Sequence, residues 1–114
     1  MNTDSKQSYV AEIRRLNDQF RTTFVGGAIL ITPGLEMLAL GRRSALMSAI
    51  RNFTAFSADN DPYGEHDFGA IELTGETFFF KIDYYDLTME GGSPDPADPK
   101  CTRRVMTIMR ADEY

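Results

Sequence analysis

Residues 68–86, "FGAIELTGETFFFKIDYYD", constrain the fold more than any other stretch of this chain. Two runs of strand-forming residues flank Thr74 and Gly75, a two-residue spacing that predicts a tight β-hairpin. In the second run Phe78, Phe80, Ile82 and Tyr84 share one face, and Phe79, Lys81, Asp83 and Tyr85 share the other. Side chains alternate along a strand, so the first set reads as core and the second as a mixed aromatic and charged surface. A hairpin alone is marginal in water and needs a covering layer.

The rest of the chain must supply that layer. Tyr9, Ile13, Leu16 and Phe20 recur at helical spacing and predict a helix over about residues 5–22. After Gly26 and Gly27, "AILIT" at 28–32 reads as a buried strand. Pro33 and Gly34 fit the centre of a type II turn. Leu35 and Met37 alternate as in a strand, while Leu35 and Leu38 suit a helix; the reading favours a short second strand ending at Gly41. Leu46, Ile50 and Phe53 mark a helix over about 42–55. Asp98 before Pro99 matches an N-cap and first helical position, so a last helix is expected over about 99–111, with Val105, Ile108 and Met109 inward.

The expected class is therefore α+β: an antiparallel sheet of about four strands covered by three helices, in the order α-β-β-α-β-β-α. Phe20, Ile50, Phe53, Phe78, Phe80, Ile82, Val105 and Ile108 are the expected core. With 114 residues the chain is expected to form a single domain, 1–114, with 1–4 disordered. One cysteine, Cys101, excludes an internal disulfide and a cysteine-based zinc site; it reads as structural. No run of about 18 apolar residues is present, and the N-terminus lacks the apolar stretch of a signal peptide. A cytoplasmic protein with no membrane contact is expected.

Charge is divided along the chain. Between Ser57 and Asp98 there are eleven acidic side chains and one basic, Lys81, for a formal charge of −10. The remainder holds eleven basic and six acidic groups, for +5, including the pairs Arg14–Arg15, Arg42–Arg43 and Arg103–Arg104. Direct nucleic-acid binding needs a basic footprint, which this composition argues against. Two readings of the division remain. The arginines pair with the acidic loops, or the acidic segment is a face for a basic partner.

Within that segment "DNDPYGEHDFG", 59–69, is the densest polar stretch and contains the only histidine, His66. It begins like a calcium loop, but Ala70 stands where the bidentate Glu is required, so no EF-hand is expected. On an extended strand His66 would point away from Glu65 and Asp67, leaving no base–orienter pair without Asp83 or Asp86. Asn60-Asp61-Pro62 and the glycines favour a capped acidic turn.

Four blocks in order, "NDPYGEHDFG", "FKIDYYD", "GSPDPADP" and "TRRVMTIM", with "IRRLNDQFR" near the start, resemble the bacterial domain-of-unknown-function family numbered 3768, over about residues 10–114. The resemblance implies a small bacterial protein of a kind often encoded near plasmid or phage genes. It implies no reaction. Together with the charge, it points to an acidic protein-binding domain. The partner would be a basic surface on a nucleic-acid-binding defence complex, making the protein an inhibitor of anti-CRISPR or anti-restriction type. Asp59, Asp61, Tyr63, Glu65, His66, Asp67, Asp83, Tyr85 and Asp86 are the candidate contact residues, without metal or cofactor. The alternative is a small enzyme or metal-binding domain centred on His66, Asp67 and Asp83. The oligomeric state is left open.

Overall fold

The computed structural model describes residues 3–114. Residues 1–2, part of the stretch expected to be disordered, lie outside the described residues. Helix α1 (Thr3–Thr23) is followed by strand β1 (Ala28–Ile31) and helices α2 (Pro33–Glu36) and α3 (Leu40–Arg51). Strands β2 (Phe68–Leu73), β3 (Glu76–Tyr85) and β4 (Arg103–Arg110) then complete one sheet, and Ala111–Glu113 add a 3₁₀ turn.

The sheet order is β1-β4-β3-β2. β3 pairs antiparallel with both β2 and β4, whereas β1 pairs parallel with β4. The hairpin forms where the alternating runs place it. Thr74 (φ 45°) and Gly75 (φ 83°) occupy the left-handed positions of a primed turn, whose twist matches that of the flanking strands. Gly69 lies opposite Phe80, and a Cβ there would run into the Phe80 and Phe53 rings. Glycine is what lets those rings lie across the strand.

Three expectations fail for identifiable reasons. The expected last helix is strand β4, and the sheet is mixed rather than purely antiparallel. Cys101 therefore precedes a strand instead of opening a helix. Asp98–Cys101 is a turn in which the Cys101 N–H donates to the Asp98 carbonyl and the Lys100 N–H to the Asp98 carboxylate. The same Asp-Pro pair suits a turn and a helix start alike. β4 sits between β1 and β3, so Val105, Met106, Ile108 and Met109 are all buried. A central strand with buried apolar residues on both of its faces loses its alternation and mimics a helical stripe.

The expected second strand at 35–40 is likewise absent. Pro33 opens α2 instead of sitting in a type II turn, and Leu35 is fully buried with Leu38 packed beside it. The i, i+3 spacing of those leucines overrode the alternation of Leu35 and Met37. The resulting order is α-β-α-α-β-β-β.

One core lies between the helices and one face of the sheet. Phe20, Leu35, Leu46 and Ile50 pack against Ile71, Phe78, Phe80, Ile82, Met106 and Ile108. Of the expected core residues, Phe53 is only half-buried and borders this cluster. The other sheet face carries Phe79, Lys81, Asp83 and Tyr85, with the Phe68, Phe79 and Tyr114 rings packed edge to face or tilted. No helix of the described residues is long and apolar enough to cross a membrane.

Candidate functional site

Helix α1 buries Ile13, Asn17, Phe20 and Arg21, at i, i+4, i+7 and i+8. Two of those four are polar, so this face must satisfy them internally. Asn17 does so completely. Its amide donates to the Glu65 carbonyl at 2.9 Å and to the Tyr84 hydroxyl at 2.7 Å, and its oxygen accepts from Arg104 Nε at 2.9 Å. The Tyr84 hydroxyl donates in turn to Glu65 Oε1 at 2.7 Å. Burial pushes the Tyr84 phenol far up, and the hydrogen bond to the Glu65 carboxylate adds to this, so the ring stays a neutral donor. Arg104 lies over the Tyr84 ring at 5.1 Å and also donates to the Pro96 carbonyl. Its burial lowers its pKa, opposed by Tyr84, Glu65 and Glu12, but a guanidinium remains charged.

The same helix holds His66. Its Nδ1 lies 2.8 Å from Asp18 Oδ1 and its Nε2 3.7 Å from Asp61 Oδ2. The ring stacks on Phe56, with centroids 3.8 Å apart and planes 4° from parallel. Arg21 reaches Asp18 at 2.9 Å, donates to the Phe53 carbonyl and lies 5.1 Å from the centre of the Phe56 ring. His66 is not on an extended strand, as expected, but in the loop before β2 with φ 56°. Both ring nitrogens face carboxylates. Cys101 Sγ donates to the Asp95 and Asp98 carbonyls at 3.6 Å each.

The stretch 59–69 folds as a capped acidic turn. The Asp61 N–H donates to the Ser57 carbonyl, the Gly64 N–H to the Asp61 carbonyl, and the His66 N–H to Asp61 Oδ1. Asn60 ties Ser57 N–H to the Ala55 carbonyl. Asp61 and Glu65 thus face inward, while Asp59 and Tyr63 are exposed, Tyr63 at 78%. An open groove of about 830 Å³ runs between Tyr63 on this loop and Lys6, Val10 and Arg14 of α1.

Asp67 is the last residue of this loop before β2 and lies opposite Ile82. Its carbonyl accepts the Ile82 N–H, which puts it beside Asp83. Burial raises its pKa first, then the nearby Glu65 charge, with Asp61 and Asp83 contributing further; only a backbone hydrogen bond opposes them. Asp83 pairs with Lys81 at 3.0 Å, and Tyr85 is half-buried on the same face. Asp86 organises the following turn: it accepts from Thr88 Oγ1 and the Glu90 N–H, which lowers its pKa. His66, Asp67 and Asp83 do not converge as ligands. Among the described residues no three His, Cys, Asp or Glu side chains gather closely enough to hold a metal ion.

Arg14, Arg42, Arg103 and Arg104 each donate to a main-chain carbonyl of the acidic segment: Gly64, Leu73, Leu87 and Pro96. Among its eleven carboxylates, only Asp61, Glu76 and Asp83 make ion pairs among the described residues. The other eight have no salt-bridge partner there.

A family model with the description "Protein of unknown function (DUF3768)" matches residues 31–113. The chain belongs to that family. The match is narrower than the resemblance over 10–114: it contains the whole acidic segment and Arg104 but leaves α1 outside, with Asn17, Asp18 and Arg21. No curated protein and no solved structure matches the chain.

The residues that composition did not reveal are Asn17, Asp18, Arg21 and Arg104. Asn17 and Arg21 had a legible signal: they occupy the i+4 and i+8 positions of the Ile13 stripe. Arg104 had none while its segment read as a helix. Tyr84, on the strand face read as core, is the centre of this network.

Proposed function

We propose that this is an acidic protein-binding domain, and that the segment 57–98 docks on a basic surface of a partner protein. The observation that carries the reading is the use of the arginines. They satisfy main-chain carbonyls and leave eight carboxylates without ion pairs among the described residues, so the segment keeps its negative field. Asp59, Asp67, Asp86 and the exposed Tyr63 are the direct contacts in this reading. Asp83 and Tyr85 extend it over the open sheet face, while Asp61, Glu65 and His66 hold the loop in shape. An acidic field with an exposed aromatic anchor suits a basic interface. The narrower form is an inhibitor of a host defence nuclease or nucleoprotein complex, of anti-CRISPR or anti-restriction type. It draws on the mobile-element setting that the family resemblance implies.

Capture of partners from a bacterial lysate on the immobilised protein, followed by association kinetics with the purified partner, tests this. Raising salt from about 0.1 M to 1 M shortens the Debye length from about 10 Å to 3 Å and should slow association steeply. Asp59→Asn and Asp67→Asn should each slow it further while the melting temperature does not fall. A partner whose affinity ignores both salt and these substitutions sinks the proposal.

A further inference from the structure

The proposed acidic face leaves the opposite edge of the sheet unexplained. β1 is that edge and pairs only with β4. The segment 22–35, which contains it, has no charged side chain. Edge strands are normally protected by charge, bulges or covering elements, because their free N–H and C=O groups recruit other strands. β1 has only its shortness and the proline that follows. Leu30 in its middle is 55% exposed, and Val25 just before it is 71% exposed.

The ladder shows which groups are free. Ile31 lies opposite Ile108, and the Thr32 N–H donates to the Ile108 carbonyl. In a parallel ladder alternate residues bond to the neighbour, so Ala28 and Leu30 face β4. Ile29 and Ile31 direct both N–H and C=O outward, and among the described residues neither has a hydrogen-bond partner outside the sheet.

We propose that β1 pairs antiparallel with β1 of a second copy of this chain, about a two-fold axis through Leu30. In that register Ile29 faces Ile31 of the other copy, and each such pair exchanges two hydrogen bonds. All the outward groups of Ile29 and Ile31 are then satisfied. Leu30 meets its own copy as the central non-hydrogen-bonded pair, where side chains come closest. The two four-stranded sheets become one of eight strands.

Charge selects this occupant and this direction. Arg103, exposed on β4, flanks the start of β1, since Val105 lies opposite Ala28. The exposed Glu36 ends α2, just beyond the other end of β1, and Glu113 binds the Thr32 hydroxyl and the Gly34 N–H there. An antiparallel pairing brings the arginine end of one copy against the glutamate end of the other, twice. A parallel pairing would set like charges together.

Sedimentation equilibrium of the full chain over a wide concentration range, with amide exchange at low and high concentration, tests the proposal. The expected result is a monomer–dimer equilibrium in which the Ile29 and Ile31 amides gain protection with concentration. Leu30→Lys should weaken dimerisation about tenfold or more while leaving the melting temperature of the dilute monomer unchanged. Arg103→Glu and Glu36→Arg should each weaken it, and the double variant should restore it. A chain that stays monomeric at millimolar concentration overturns the proposal. So does a dimer whose Ile29 and Ile31 amides exchange as fast as in the monomer, or one indifferent to Leu30→Lys. The acidic-face reading is tested separately on Leu30→Lys, which lies outside 57–98 and touches none of the arginines that bond its carbonyls, whereas Arg103→Glu also removes the hydrogen bond to the Leu87 carbonyl.

Discussion

Asn17→Ala tests whether the buried polar network holds α1 to the sheet. Asn17 is fully buried and makes three hydrogen bonds, to Glu65, Tyr84 and Arg104. Alanine strands the Glu65 carbonyl and Arg104 Nε. The Tyr84 hydroxyl keeps its bond to Glu65 Oε1, and Arg104 keeps the Pro96 carbonyl. Two stranded groups at about 1–2 kcal/mol each, with the void left behind, amount to about 3–4 kcal/mol. For a domain of this size that lowers the melting temperature by roughly 10–15 °C. Urea unfolding followed by circular dichroism measures the loss directly. Arg104→Met in the same background supplies a cycle: once the guanidinium is gone, Asn17→Ala no longer strands it. The double variant should lose about 1–2 kcal/mol less than the two singles together. A single-variant loss below about 1 kcal/mol, or additivity within about 0.5 kcal/mol, would refute the network as the tie between α1 and the sheet.

Phe80→Ala should cost about 3–5 kcal/mol by the same measurement, because the ring is fully buried against Phe53, Phe56 and the space left by Gly69. A loss near zero would mean that the helix-facing side of β3 is misassigned. Asp67→Asn should stabilise the protein at neutral pH. The folded-state pKa of Asp67 is raised, so the folded protein holds that proton more tightly than the unfolded chain does. The ionisation penalty is fully present above the folded pKa and vanishes as pH falls below the unfolded carboxylate value. Thermal melts of both proteins across that range should therefore converge at acid pH; a variant that is less stable at neutral pH shows that Asp67 is paired rather than crowded.

The hairpin was legible because turn chemistry and alternation agreed over nineteen consecutive residues. Phe78, Phe80 and Ile82 fell on the buried face, as the period of two requires. β4 was not legible, because Val105, Met106, Ile108 and Met109 are buried on both faces and carry no single period. The parallel pairing of β1 depends on that strand, so the mixed sheet was lost with it. Of the candidate contacts, Asp59 and Tyr63 are outward as a turn-tip reading suggests. Asp61 turns inward because the His66 N–H needs an acceptor, a requirement that only the three-dimensional path of the loop creates.

The two long irregular segments, 52–67 and 86–102, explain why the arginines sit where they do. Their carbonyls lie outside any ladder, and a partly buried carbonyl must find a donor. A charged donor on such a carbonyl contributes about 1.5–3 kcal/mol, whereas an exposed arginine–carboxylate pair contributes about 0–1. Stability alone therefore directs Arg14 and Arg104 to main-chain oxygens and leaves the neighbouring carboxylates uncompensated. That much needs no partner. Asp67 does not fit the same account. It is half-buried among Glu65, Asp61 and Asp83, and its ionisation is opposed by all three. An amide in its place would keep the shape and remove the repulsion. On the proposed acidic face, Asp67 is the position where neutralisation should raise stability while weakening partner association.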